Sequence, residues 1–166
     1  MTDLSTRFSL PFLQSGQAQK ELYHNEALAL LDFAIHPIAQ ALDINAPPAS
    51  PLVGQCWIVG SAPTGAWAGQ AGALAGWTGG GWRFVAAVDG MMVWLAAEGT
   101  WARRAGDAWI IGDLPVRNIS IGGNQVVGPR QPSIREPSGG AAIDVESRMA
   151  IASILGAIRA HGLIGT

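Results

Sequence analysis

The chain has 166 residues, of which 13% are charged, and its formal net charge is -2. This length suits one globular domain, or a small domain with appendages. The ten cationic residues are scattered from Arg7 to Arg159 and form no basic patch, which argues against nucleic acid as the main ligand. A single cysteine, Cys56, excludes an internal disulfide framework and a cysteine-based zinc site. Because so few charges cover the surface, we expect apolar side chains to be buried against other chains.

Residues 1–45 have a helical pattern. The sequence predicts an N-cap at Ser15 and a helix over residues 17–43, which Pro37 should kink or end near His36. Its apolar residues are spaced 3, 4, 3 and 4 apart, as at the a and d positions of a short coiled coil. They line either an oligomer interface or the core-facing stripe of an amphipathic helix: Leu28, Leu31, Ile35, Ile38 and Leu42.

Residues 46–113 begin with a stiff proline-rich connector and continue as a block rich in tryptophan and glycine. The segment QCWIVG predicts a strand that ends at Gly60. In GWTGGGW, a glycine triplet predicts a tight hairpin that places Trp77 opposite Trp82. Further short strands follow around AEG and after RAGDA. This spacing of strands and turns predicts a small antiparallel sheet or barrel.

Residues 114–142 contain many prolines and glycines and predict an extended linker that pairs with neighbouring subunits. Residues 143–166 predict a C-terminal helix, with Asp144 as its N-cap and Gly162 at the C′ position. Its apolar stripe must pack on its own domain or on another subunit: Ile151, Ile154, Leu155 and Ile158. The predicted fold class is therefore α+β, with an N-terminal helix, a β-rich domain, a linker and a C-terminal helix.

Residue types that carry catalysis are sparse. The sequence has no G-x-S-x-G motif, and its three histidines lack metal-ligand spacing. We therefore expect no catalytic residue, no metal and no cofactor. A hydrolase acting on the cell envelope is a weaker alternative. It would need a carboxylate pair, and three carboxylates in turn contexts could supply one: Asp89, Glu98 and Asp107.

The tryptophans allow two interpretations. Exposed indole rings can stack on the apolar faces of sugars, assisted by arginine, and four residues are candidates for glycan binding: Trp77, Trp82, Trp101 and Arg103. Alternatively, these side chains form the core and a subunit interface, where tryptophan and arginine are also enriched.

Three phrases of the sequence resemble a known family: LPFLQSGQAQKELYHNEAL, APPASPLVGQCWIVG with PTGAWAGQAGALAGWTGGGWRFV, and the closing AAIDVESRMAIASILGAIRAHGLI. This is an uncharacterised domain family of alphaproteobacterial prophages and gene-transfer agents. The resemblance covers about residues 10–113, with the closing phrase as a common tail. It implies a virion structural protein, a spike or fibre on the head or tail, and it carries over no catalytic residue.

The resemblance also implies assembly. Spikes and fibres are commonly homotrimers, so we expect an interface formed by two apolar stripes: Leu28, Leu31, Ile35, Ile38 and Leu42, and Ile151, Leu155 and Ile158. The expected partners are further copies of the chain, capsid or tail proteins, a distal spike or fibre protein, and host surface polysaccharide. A head spike is favoured over a tail fibre because no long repetitive shaft is present. We expect no secretory signal, no membrane insertion and release by lysis. The alternative function is a carbohydrate-binding module for capsule or lipopolysaccharide.

Overall fold

A computed structural model describes residues 4–13, 16, 20–141 and 144–165. The predicted cap at Ser15 and the predicted helical residues 17–19 lie outside this part of the chain. The chain divides into two compact units, Met1–Leu114 and Pro115–Thr166. The predicted segments 1–45 and 46–113 therefore belong to one unit, and the predicted segments 114–142 and 143–166, except Leu114, belong to the other. The predicted boundary at 113/114 lies one residue from the observed one.

Helix α1 (Lys20–Ala34) is shorter than the predicted helix, which was expected to reach residue 43. Pro37 follows it, and His36 has a left-handed φ of 44°, so the backbone leaves the helical path here. The guanidinium of Arg7 donates hydrogen bonds to the carbonyl oxygens of Asp32 at 2.7 Å and His36 at 2.6 Å. These bonds satisfy carbonyls that a helix C-terminus leaves without partners.

The sheet of the first unit contains seven strands within the described residues: β1 (Ile38–Ala39), β2 (Cys56–Ile58), β3 (Leu74–Thr78), β4 (Gly81–Val85), β5 (Met92–Leu95), β6 (Thr100–Ala105) and β7 (Ala108–Ile111). Their order in the sheet is β4-β3-β2-β1-β5-β6-β7. The central strand β1 runs parallel to β2 and to β5, and the other neighbours are antiparallel. The antiparallel β-rich domain is thus confirmed, with one strand taken from the segment predicted as helix.

The predicted hairpin around the glycine triplet is confirmed. Trp77 lies opposite Trp82, and Thr78 lies opposite Gly81. Gly81 has a φ of 106°, which a side chain would strain. The Thr78 hydroxyl donates to the Gly81 carbonyl at 2.7 Å and accepts from the Gly80 N–H at 3.1 Å, which closes the turn.

The main core lies on one face of the sheet, where Phe33 of α1 covers small and branched side chains. Gly76 permits this contact, because a Cβ at that position would lie 2.6 Å from ring atoms of Phe33. Burial also raises the pKa of the Cys56 thiol to about 12. The core residues are Phe33, Ala39, Cys56, Ile58, Leu74, Val93, Leu95 and Ala102.

The second unit contains a hairpin and a helix: β8 (Ile119–Ile121), β9 (Asn124–Val127) and α2 (Val145–Ala160). The hairpin corrects part of the linker prediction, because β8 and β9 pair with each other. The predicted N-cap is confirmed, since the Asp144 carboxylate accepts from the Ser147 N–H at 2.8 Å. Gly162, with a φ of 71°, occupies the predicted C′ position. Its N–H donates to the Arg159 carbonyl, and the next N–H donates to the Ile158 carbonyl, which is the bond pair of a Schellman motif.

The segment before α2 also contacts the helix end within its own unit. Gln131 pairs with Ile164 in a short parallel bridge. Arg159 lies 3.1 Å from the Glu136 carboxylate and donates to the Ile134 carbonyl at 2.6 Å. The apolar stripe of α2 is therefore partly covered by its own chain. Within the described residues, neither helix is long and apolar enough to cross a membrane.

Candidate functional site

The face of the sheet opposite the main core carries a row of tryptophans. Directly paired residues of neighbouring strands point to the same face of a sheet. The strand register places Trp82 beside Trp77 on one side of β1, and Trp94 beside Trp101 on the other. Ile38 of β1 is paired with Trp94 and continues the row between the two halves.

Each pair makes aromatic contact across its hairpin. The ring centroids of Trp77 and Trp82 lie 4.9 Å apart, and those of Trp94 and Trp101 lie 5.2 Å apart. Both distances fall in the range of stabilising edge-to-face or tilted pairs. The glycine triplet predicted the first pair correctly. The AEG turn indicated a hairpin for the second pair, but Trp94 was not predicted as the partner of Trp101.

One end of this face is closed by the loop between β2 and β3. A short 3-10 helix (Gly65–Trp67) inserts Trp67, which is fully buried, against Trp57 and Trp82. Trp67 and Trp82 meet edge to face with centroids 5.1 Å apart. Trp77 and Trp82 are consequently half-buried members of a second core cluster. For these two residues, the structure favours the packing interpretation over sugar contact.

The other end of the row is open. Trp101 is 38% exposed and Ile38 is 46% exposed. Arg103 lies two residues along β6 from Trp101, on the same face, and its guanidinium is 3.7 Å from the Asp113 carboxylate. Of the four predicted glycan-binding residues, Trp101 and Arg103 therefore lie together at the open end. Trp77 in β3 and Trp82 in β4 lie at the closed end, on the other side of β1 and β2.

The predicted N-terminal interface stripe is not a single helical seam. Leu28, Leu31 and Ile35 keep helical spacing, because the Ile35 N–H still donates to the Leu31 carbonyl at 2.9 Å. Ile38 lies in β1, and Leu42 packs against the main core. The a/d interpretation is wrong for these two residues, since Pro37 and the left-handed His36 end the helix before them.

The predicted stripe on α2 is divided. Leu155 is buried within its own chain, and Ile158 is half-buried. Ile151 is 41% exposed and Ile154 is 58% exposed. On this helix, Ile151 and Ile154 are exposed and can contact a partner, whereas Leu155 is buried and cannot.

The three carboxylates considered for hydrolysis are not all brought together: Asp89 reaches the turn that carries Asp107, and Glu98 lies apart from both. Asp89 precedes β5 and accepts a hydrogen bond from the Gly106 N–H at 2.9 Å, which links two turns. Asp107 lies in the same β6–β7 turn, whereas Glu98 lies at the opposite end of β6. All three are exposed. Within the described residues, no cluster of histidine, cysteine and acidic side chains is arranged to hold a metal ion.

The phrase that carried the sequence resemblance has a structural role in the first unit. The Asn25 amide holds the N-terminal arm, because it accepts from the Leu13 N–H at 2.8 Å and donates to the Leu13 carbonyl at 3.1 Å. Glu26 forms an ion pair with Arg83 of β4 at 2.5 Å. These residues connect the arm, α1 and the sheet into one unit.

A protein-family comparison matches residues 24–110 to DUF2793, described as a protein of unknown function. The match covers more than half of the chain. The chain belongs to the DUF2793 family. The DUF2793 region includes most of α1 and nearly the whole sheet, with all the tryptophans, whereas α2 lies outside it. A search of curated proteins gave no match to this sequence.

Proposed function

We propose that the protein is a structural, non-enzymatic subunit of a phage-like particle or gene-transfer agent. It serves as a head-spike or fibre subunit that joins the particle to a distal adhesin or to the host cell surface. The proposal rests on the sequence resemblance and on one structural observation. Apolar side chains stay exposed near the end of α1, at Leu31 and Ile35, with exposures of 49% and 41%. Grouped exposed apolar side chains mark interaction surfaces.

Self-association is the first consequence that can be tested. Light scattering on the purified full chain at about micromolar concentration should give the mass of a trimer. The double substitution Leu31→Asp with Ile35→Asp should shift the mass toward a monomer, because charges oppose burial at an interface. Val88→Asp is the matched control, since Val88 is 65% exposed and lies away from this stripe. A monomeric wild-type protein would contradict the proposal.

The place on the particle is tested by imaging. Particles produced with and without this protein should differ by the loss of one appendage, on the head for a spike or on the tail for a fibre. Particles that keep every appendage and still lack the protein would overturn the structural role.

A second candidate function, recognition of host capsule or lipopolysaccharide, is favoured by the open end of the tryptophan row. Trp101 and Trp94 present adjoining aromatic surface beside Arg103, and exposed Ile38 continues it across β1. Aromatic rings supply apolar contact for sugar faces, and arginine donates hydrogen bonds to hydroxyl groups.

Calorimetry with purified capsule polysaccharide tests this second function. Trp101→Ala should weaken binding by at least about tenfold, corresponding to the loss of one aromatic contact. Tyr23→Ala is a matched control, because Tyr23 is an exposed aromatic residue on α1, away from the sheet face. Equal weakening by both substitutions, or no heat with any host polysaccharide, counts against the sugar-binding role.

A further inference from the structure

The first unit contains an open cleft of about 460 Å³ on the core side of the sheet, away from the tryptophan row. Its walls come from the end of β2, the following loop and the β6–β7 hairpin. Trp109 of β7 ties two of these walls together, because its Nε1–H donates to the Gly72 carbonyl at 3.0 Å. The volume lies in the range of pockets that take small molecules. The hydrogen bond from Trp109 to Gly72 holds the hairpin wall against the loop wall.

Arg104 supplies the positive charge of the cleft. Its side chain is only 14% exposed, and its nearest carboxylate, on Asp107, lies 3.8 Å away, beyond hydrogen-bond distance. The Nε–H of Arg104 is buried and has no hydrogen-bond partner among the described residues. Buried donors of a charged group are normally satisfied, because leaving them unpaired is costly. Because the Nε–H is closed off from the cleft, a ligand oxygen can meet only the terminal nitrogens of Arg104, which are not buried in this way.

The charge around Arg104 restricts the class of that ligand. Two exposed carboxylates, Asp43 and Asp107, line the same cleft, so one positive charge faces two negative charges. This balance disfavours phosphate and carboxylate ligands, which are repelled by both acids. It also disfavours a metal ion, which the guanidinium would repel.

A neutral sugar fits the remaining requirements. Each hydroxyl group both donates and accepts, so neighbouring hydroxyls can donate to a carboxylate and accept from the guanidinium. Gly60 leaves room for the Asp43 carboxylate, since a Cβ there would lie 2.8 Å from its Oδ1. Trp109 and Leu42 line the cleft, are only half-buried, and supply surface for the C–H face of a ring.

We propose that this cleft binds one neutral sugar residue, with Arg104, Asp43 and Asp107 as hydrogen-bonding groups and Trp109 as an apolar wall. The site is separate from the tryptophan row and does not depend on it or on the particle role. A glycosidase normally holds its proton donor in an apolar pocket. Asp43 and Asp107 are both exposed, so the cleft binds the sugar without hydrolysing it.

The test is a backbone amide NMR titration of the labelled full chain with glucose, galactose, mannose and N-acetylglucosamine, and with glucuronate as the charged comparison. At least one neutral sugar should bind with a dissociation constant of about a millimolar. It should shift the amides of Ser61, Gly72 and Trp109. No shift with any neutral sugar at about 50 mM overturns the proposal. Stronger binding of glucuronate overturns it as well.

Two substitutions separate the cleft from the tryptophan row. Arg104→Met keeps the apolar stem and should weaken binding by about tenfold or more, since it removes a charged donor. Asp43 lies outside the named strands. Asp43→Asn should therefore weaken sugar binding and leave the sheet unchanged. Glu98→Ala, in an exposed turn that does not line the cleft, should leave the titration unchanged. Shifts that appear at Trp94 and Trp101 and disappear in Trp101→Ala would place the sugar on the tryptophan row and refute the cleft.

Discussion

Arg7 and Asp32 hold each other through reciprocal contacts between side chain and backbone. The Asp32 carboxylate accepts from the Arg7 N–H at 2.8 Å, and the Arg7 guanidinium donates to the Asp32 carbonyl at 2.7 Å. The same carboxylate accepts from the Ser5 hydroxyl and the Phe8 N–H, both at 2.7 Å. Asp32 is 1% exposed, so the N-terminal arm supplies all the hydrogen bonds to this buried charge that the described residues show.

Replacing Asp32 should therefore destabilise the first unit strongly. Asp32→Ala leaves the arm's donors buried and unpaired, and we expect the free energy of unfolding to fall by about 3–5 kcal/mol. Urea denaturation followed by tryptophan fluorescence measures it. Glu98→Ala is the control, because Glu98 is exposed in a turn, and it should change stability by less than about 0.5 kcal/mol. A similar small effect at both sites would show that the arm does not hold α1.

The contact between Gly76 and Phe33 leads to a second prediction. In Gly76→Ala the new methyl group overlaps the Phe33 ring, which is fully enclosed, so we expect a loss of about 1–3 kcal/mol. Gly79→Ala is the matched control, since a Cβ at Gly79 meets no atom within 4 Å among the described residues. Thermal unfolding of both variants measures the difference. Equal midpoints would mean that α1 does not press on the sheet at Gly76.

Cys56 should be chemically inert in the folded protein. Burial raises the pKa of its thiol to about 12, so the reactive thiolate is scarce at neutral pH, and the side chain is fully enclosed. Labelling with a thiol reagent at neutral pH should be slow for the native protein and rapid in denaturant. Rapid labelling of one thiol per native chain is the contrary result.

The cap of α2 should titrate at unusually low pH. Hydrogen bonds from the Ser147 N–H and hydroxyl hold the pKa of Asp144 below its ordinary value. Because the folded-state pKa is lowered, the capping contribution is complete above the ordinary value of about 3.9 and is lost as the pH falls through the lowered value. The Ser147 amide shift should follow this titration by NMR, with its midpoint below about 3.9.

Two variants isolate the group that titrates. Asp144→Asn still caps the helix but cannot ionise, so the Ser147 shift should become flat with pH. Glu146→Gln removes the neighbouring carboxylate and should leave the titration in place. A midpoint at or above the ordinary aspartate value contradicts the capping geometry.

Local patterns in the sequence predicted the local structure well. The Trp77–Trp82 hairpin and both ends of α2 follow from glycine positions and capping residues, which act over a few residues. The path of residues 35–42 could not be predicted in this way. Ile38 and Leu42 have helical spacing, but their positions are decided by pairing with β2 and β5 and by packing on the core, contacts that are distant in sequence.

Which tryptophans are buried and which are exposed could not be predicted from the sequence either. Their number predicted an aromatic core or a binding surface, but no local pattern distinguishes Trp67, which is fully buried, from Trp101, which is 38% exposed. The difference arises because the loop carrying Trp67 folds over one half of a sheet face and leaves the other half open. Likewise, nothing in the sequence around Arg104 indicated a cleft, since its walls come from three separate segments.

The two-residue strand β1 joins two three-stranded meanders, β2–β3–β4 and β5–β6–β7, into one sheet. A recombinant fragment starting at residue 46 would lack this strand and would have two additional unpaired edges at β2 and β5. Unpaired edges promote intermolecular pairing, so such a fragment should aggregate during expression. Division of the gene for crystallography or for fusion proteins should therefore be made near residue 114, where the two units separate.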